Sequence, residues 1–186
     1  MTLGVLAVQG DVREHLGVFH KLGVQTRPVL KPVDLENIKG LVFPGGESTA
    51  MWRIMSQSGL VGPLAQALRD GLPALGTCAG MILLAKEITN WPERYFGVLD
   101  IAVERNATGR QVDSFEALVN ANSLGDIAVV FIRAPLVRRV GSQVQVLARW
   151  EGIPVWVRQG RVLGASFHPE LTGDTRVHEY FLNLCR

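Results

Sequence analysis

The sequence predicts an α/β fold of three layers, with helices on both faces of one mixed, mostly parallel sheet, in a single domain over residues 1–186. In the first half, short apolar runs alternate with amphipathic helical patterns, the order of parallel strands joined by crossover helices. After Asn90 the helical patterns give way to strand-like runs separated by Glu151-Gly152 and Gln159-Gly160, tight breaks that suggest hairpins and an antiparallel portion. The length suits one domain with a sizeable core.

Leu3 to Val8 is nearly continuous in apolar residues, as expected of a strand covered on both faces. Gly10-Asp11 turns the chain into a helix on which Val12, Leu16, Phe19 and Leu22 recur at helical spacing, and Gly23 closes it. Thr26 to Leu30 is a second strand, and Pro28 puts it at a sheet edge because proline cannot donate to a ladder. Leu41 to Phe43 is a third strand, stopped by Pro44-Gly45-Gly46. Ser48 or Thr49 is expected to cap a helix through Met51, Trp52, Ile54 and Met55, with its apolar residues in the core. Leu64 to Leu68 makes another short helix. Pro73 to Leu75 is a strand, Cys78 a sharp turn, and Ala79 to about Glu87 a helix. Val98 to Val103, Ile127 to Ile132, Val144 to Trp150, Ile153 to Arg158 and Arg161 to Phe167 are strands. Thr175 to Leu184 closes the chain as a helix with Val177, Tyr180, Phe181 and Leu184 on one face.

Composition excludes several classes. Hydrophobic content of 47% and charged content of 19% are ordinary for a globular protein, and a net charge of +2 with scattered arginines gives no footprint for nucleic acid or an acidic membrane. Two cysteines are too few for a disulfide framework. The N-terminal apolar run lacks a preceding basic segment and reads as a strand, not a signal peptide. No run reaches the ~18 apolar residues that would cross a bilayer. A cytoplasmic location is expected, where a free thiol stays reduced. No cofactor is expected, and no His/Cys/Asp cluster has metal-ligand spacing along the chain.

Chemistry concentrates in three places. Gly76-Thr77-Cys78-Ala79-Gly80 sits between a strand and a helix. A nucleophile on such an elbow needs small neighbours so that the turn can close, and the first N–H groups of the next helix then face the sulfur. Alone, the motif fits a small buried thiol equally well. Ser166-Phe167-His168-Pro169-Glu170-Leu171 ends the last strand. Residues two apart in an extended chain share a face, and Pro169 biases His168 towards extended backbone, so Glu170 can orient the imidazole of a general base. Pro44-Gly45-Gly46-Glu47-Ser48 follows another strand. Its N–H groups, with that of Ala79, could hold an oxyanion beside Cys78. A phosphate loop is disfavoured because no Gly-Lys-Ser/Thr follows.

These three blocks resemble the signatures of class I glutamine amidotransferases. With Gly4-Val5-Leu6-Ala7-Val8-Gln9-Gly10, Glu104-Arg105-Asn106-Ala107-Thr108-Gly109-Arg110-Gln111 and Phe131-Ile132-Arg133-Ala134-Pro135, the chain is similar along its length to the glutaminase subunits of pyridoxal 5'-phosphate synthases. The resemblance implies a flavodoxin-like amidotransferase fold and hydrolysis of glutamine to glutamate and ammonia. It implies Cys78 as nucleophile, His168 as proton carrier, Glu170 as its orienter, and a thioester intermediate. It further implies glutamine contacts at Gly46, Glu47, Ser48, Arg105, Ile132 and Arg133, and an oxyanion hole at Gly45, Gly46 and Ala79. Without it, Arg105 and Arg133 would read as surface arginines. One departure is Thr108, where the family's block leads us to expect an aromatic residue. The implied partner is a barrel-shaped synthase subunit that receives ammonia within a large hetero-oligomer and makes pyridoxal 5'-phosphate, the active form of vitamin B6. Gln9-Gly10-Asp11 and the helix after it form the expected contact region. Two other readings keep the same scaffold: a related cysteine hydrolase with another substrate, and a non-catalytic binding module.

Overall fold

The computed structural model describes residues 1–106 and 114–186. Thr108 and the Ala107–Gln111 part of its block lie outside the described residues.

Among the described residues a nine-stranded sheet runs in the order β2-β1-β3-β4-β12-β11-β10-β7-β8. Its first half comprises β1 (Thr2–Leu6), β2 (Gln25–Val29), β3 (Leu41–Phe43), β4 (Ala74–Thr77) and β12 (Val162–Ala165), all parallel. Its second half, β7 (Phe115–Ala121), β8 (Gly125–Phe131), β10 (Gln145–Trp150) and β11 (Ile153–Gln159), is antiparallel. The sheet is therefore mixed but evenly divided, where a parallel majority was expected. Pro28 lies on the edge strand β2, as its missing N–H requires.

Alternate residues of the central strands face opposite cores. Leu3, Val5, Val42, Leu75 and Leu163 pack with Phe19 of α1 (Val12–Lys21) and with Val177 and Phe181 of α5 (Arg176–Cys185). Leu6, Leu41, Phe43 and Ala74 pack on the other side with Met51 and Met55 of α2 (Ser48–Gln57), Leu64 and Leu68 of α3 (Val61–Arg69), and Met81 and Leu84 of α4 (Ala79–Leu84). Met51 and Met55 are fully buried, as their spacing predicts.

Three local expectations change. The helix after Cys78 ends at Leu84, and Ala85–Ile88 is a strand, β5, paired with β6 (Leu99–Glu104) in a second sheet of order β5-β6-β9. The run Met81 to Ala85 is apolar throughout and carries no period, so pairing with β6 sets its end. Strands β7 and β9 (Leu136–Val140) were not anticipated. In β9 the exposed Arg138 and Arg139 break the apolar run, yet they pair with Glu104 and Asp100 of the neighbouring strand at 2.6 and 3.1 Å. The cap of α2 is Glu47, not Ser48 or Thr49: its carboxylate accepts from the Thr49 and Ala50 N–H groups at 3.0 and 2.7 Å.

Candidate active site

Strands β1, β3, β4, β12 and β8 run in one direction, so their carboxyl ends share one edge of the sheet. That edge is where open α/β sheets bind ligands. A cavity of about 340 Å³ opens there, at the small end of the range for ligand pockets. It is lined by Gln9 and Asp11 after β1, Gly46, Glu47 and Ser48 after β3, Cys78 and Ala79 after β4, Ile132 and Arg133 after β8, and His168 after β12. Ile82, Arg105 and Asn106 complete it.

Cys78 has φ +49° and ψ −107°, a region that L-residues avoid at a cost of about 1–3 kcal/mol. The surrounding sheet imposes it: Cys78 N–H donates to Ala165 O at 2.8 Å, and β4 lies between β3 and β12. The flanking glycines permit it by close approach. A Cβ on Gly80 would lie 1.9 Å from Phe43 O, and one on Gly76 would lie 2.6 Å from the Gly80 backbone. The Cys78 thiol donates to Ile132 O at 3.7 Å. Arg133, next in the chain, is also at positive φ, +42°, so two residues in the left-handed region line the cavity.

Strand β12 stops at Ala165, and Glu170 lies in a 3-10 turn, Pro169–Leu171, where an extended chain through Phe167 and onward was expected. The turn still brings the two side chains together. His168 keeps extended backbone, its N–H donates to Val130 O at 2.7 Å, and its Nδ1–H donates to Glu170 Oε1 at 2.8 Å. A second carboxylate, Asp11 Oδ2, lies 3.2 Å from the same nitrogen. Asp11 is the N-cap of α1 but makes no capping bond with its side chain. With Nδ1 occupied by carboxylates, Nε2 is left for the cavity. Burial alone would lower the His168 pKa; hydrogen bonds to Asp11, Cys78 and Glu170 outweigh it and raise it. Burial raises the Glu170 carboxyl more than the bond from His168 lowers it. The imidazole thus holds the proton more firmly than an isolated histidine, with the buried carboxylate as its rear partner.

Asp11, His168 and Glu170 place three potential metal-ligand atoms within 4.8 Å of one another. Spacing along the chain could not reveal this cluster, because Asp11 comes from the opposite end. The 2.8 Å distance from His168 Nδ1 to Glu170 is that of a charge-assisted hydrogen bond, with Asp11 as a longer second acceptor, and needs no ion to account for it.

Glu47 Oε1 also accepts from Arg105 Nη2 at 3.1 Å, and Arg105 lies over the Trp91 ring at 4.6 Å. Burial is the largest single influence on the Glu47 carboxyl and raises it, but the Thr49 and Ala50 N–H groups, the Thr49 side chain and Arg105 together hold it below the usual range. Gln9 Oε1 accepts from Glu47 N–H at 2.8 Å. Ser48 is buried and its hydroxyl has no partner among the described residues. Gly45 lies behind the imidazole and does not line the cavity: a Cβ there would sit 2.3 Å from His168 Cε1. Glu170 likewise stands behind His168.

Of the site residues named from the sequence, Gly46, Glu47, Ser48, Cys78, Ala79, Arg105, Ile132, Arg133 and His168 come together around this cavity. Gln9 and Asp11, read as a partner-contact region, line it as well. Ile82 and Asn106 went unread. The carboxyl end of β1 was a usable signal for Gln9 and Asp11, because the rule that points to the loops after β3 and β4 covers β1 equally.

The pyridoxal 5'-phosphate synthase subunit PdxT of Thermosipho africanus is 53% identical, with both chains covered in full. That of Thermus thermophilus is 53% identical over 98% of this chain and 96% of its own. A crystal structure described as a glutamine amidotransferase superposes with a TM-score of 0.94 at 50% identity, covering 98% of each chain. PurLQS from Thermotoga maritima shares the fold at 16% identity, with a TM-score of 0.73 over 100% of this chain and 98% of that one. The family model matches residues 5–186, and the chain belongs to the SNO glutamine amidotransferase family.

Proposed function

We propose that this protein is the glutaminase subunit of a pyridoxal 5'-phosphate synthase. It acts as one amidotransferase domain over residues 1–186, hydrolysing L-glutamine and passing ammonia to a barrel-shaped synthase partner in a hetero-oligomer in the cytoplasm. The observation that carries this reading is the strained Cys78 on the rim of a cavity whose wall includes His168, with Glu170 behind the imidazole.

Cys78 Sγ, having given its proton to His168 Nε2, attacks the side-chain amide carbon of glutamine. The oxygen takes the developing charge, facing the Ala79 and Gly46 N–H groups; one such donor is worth about 100-fold or more in rate. The C–N bond breaks, and His168 gives its proton to the departing nitrogen, leaving a thioester. Water then loses a proton to His168 and attacks, the C–S bond breaks, and the proton returns to sulfur as glutamate leaves. Glu170 and Asp11 hold Nδ1–H throughout, so the same nitrogen, Nε2, serves both half-reactions. Glu47 is a counter-ion for the substrate ammonium, Arg105 and Arg133 for its carboxylate, and the unpartnered Ser48 hydroxyl is available to it. Among the described residues no helix is long and apolar enough to cross a membrane.

The test is ammonia release from glutamine with and without the barrel subunit. Turnover is expected with the partner present and is expected to vanish in Cys78→Ala while thermal melting stays as in the parent. Retained turnover in that variant would refute the role of the thiol. No turnover by the parent in either condition would leave the binding-module reading.

A further inference from the structure

Behind Glu170 lies a second buried group that the hydrolysis above does not use. His15, on the inner face of α1, and His178, on α5, are both fully buried. His15 Nδ1 lies 3.0 Å from His178 Nε2. His15 Nε2 lies 3.2 Å from Thr77 Oγ1, one residue before the nucleophile, and 3.5 Å from Glu170 Oε2. That oxygen is buried and makes no hydrogen bond among the described residues; His15 Nε2, at 3.5 Å, stands just beyond one. A buried carboxylate oxygen without a donor is costly, so what His15 presents to it matters.

The tautomer follows from the contacts. A lone pair on His15 Nε2 would face the lone pairs of a carboxylate, so Nε2 carries the hydrogen. Nδ1 is then an acceptor, and His178 Nε2–H donates to it. His178 Nδ1 is left as a bare lone pair, and it has no partner among the described residues. The opposite arrangement would strand an N–H there instead. Burial holds both rings neutral: His15 is lowered well below its ordinary value, with His178 and His168 adding to the effect, and His178 falls to about 4.

We propose that His15 is a positioning residue for the triad: its Nε2–H, locked in that tautomer by His178 and anchored on Thr77 Oγ1, turns its positive end towards the second oxygen of Glu170 and so keeps that carboxylate ionised and aimed at His168. The inference rests on the glutaminase reading for its kinetic consequences, but not for its electrostatic one. The charged and titratable groups around the pair are Asp11 at the start of α1, His178 on α5, Cys78 after β4, and His168 and Glu170 after β12. Of these, His15 alone faces the outer oxygen of Glu170.

Two variants separate this role from packing. Gln at position 15 can place an amide N–H where Nε2 stands. Asn is shorter, places its N–H where Nδ1 stands, and cannot reach Glu170. In His15→Asn we expect kcat lower by about tenfold, the order of one lost hydrogen bond to a charged group, with KM within about twofold. The acid limb of the pH–rate profile should move up by about one unit, because a carboxylate that loses a donor protonates at higher pH. His15→Gln should restore both towards the parent. Alkylation of Cys78 by iodoacetamide as a function of pH reads the same shift without substrate. If His15→Asn does not fold, His178→Asn, which frees His15 to take the other tautomer, should shift the limb in the same direction, and His178→Gln should not. Unchanged pH profiles in the Asn variants, or Gln variants shifted as far as the Asn ones, would overturn the role of His15. A parent that releases no ammonia but whose Cys78 alkylation shifts as described would instead remove the glutaminase reading and leave the proton network standing.

Discussion

Gly45 shows how little slack surrounds the imidazole. A methyl group there would fall 2.3 Å from His168 Cε1 and 2.7 Å from Asp11 Oδ2, inside any real contact distance. Gly45→Ala is expected to move the ring by about 1 Å and to lower kcat by about 100-fold, the cost of such a misplacement. Steady-state kinetics check this, and an undiminished kcat would mean that the ring has room to yield. Glu170→Gln keeps the shape and removes the charge. Its kcat should fall by about 100-fold or more, as when a triad acid becomes an amide. At this scale the sequence was informative where chemistry is written locally: Cys78 between small residues, and His168 and Glu170 around Pro169. It did not pair Asp11 with His168 or His15 with His178 and Glu170, because those partners come from the far end of the chain. The missing capping bond at Asp11 is a local rule broken where a functional contact takes precedence.

Helix α2 depends on a cap that also belongs to the site. Glu47 accepts two N–H groups from its first turn and pairs with Arg105, which also lines the cavity. Glu47→Ala should cost about 1 kcal/mol of stability, as for other lost caps, and should raise KM for glutamine more than it lowers kcat. Denaturant titration and kinetics on one preparation separate the two effects. Helix α5 depends on burial. Phe181 is fully inaccessible, and Phe181→Ala should cost about 3–5 kcal/mol. A loss under 1 kcal/mol would mean that the helix collapses onto the gap. Elements with a clear period were legible: α1, α3 and α5 lie within a few residues of their predicted spans, and β3 was read to the residue. Those without one were not. Met81 to Ile88 holds a helix and a strand in eight residues, and only the partner strand β6 tells them apart. In β7, Phe115, Ala117, Val119 and Ala121 do alternate, a signal that the exposed apolar Leu118 between them obscured.

For the whole molecule, the buried histidines tie stability to pH. His178 has a folded pKa of about 4 against 6.5 when unfolded, and His15 is shifted the same way. Between those values the unfolded chain binds protons that the folded chain refuses. Stability from this pair is thus complete above pH 6.5 and falls as the pH drops towards 4, by about 1.4 kcal/mol per unit for each histidine. His168 acts oppositely. Its raised pKa contributes stability that is present below 6.5 and is lost as the pH rises towards its folded value. Denaturation midpoints from pH 7 to 4 should fall steeply in the parent and less steeply in His178→Phe, which has one fewer proton to take up. Parallel slopes in the two proteins would show that His178 is not held neutral. The three-layer plan was legible from the alternation of strands and helices. The even split of the sheet was not, because strand direction across β10, β7 and β8 is fixed by pairings between distant segments.

The other sulfur has a practical consequence. Cys185, the last residue of α5, packs against Gly40, and burial pushes its thiol up to about 12, so near neutrality little of it is the reactive thiolate. The molecule therefore carries a built-in gauge of its own quality. Moles of a substrate-shaped electrophile consumed per mole of chain give the fraction of competent molecules in any preparation, with no need to engineer a cysteine-free background.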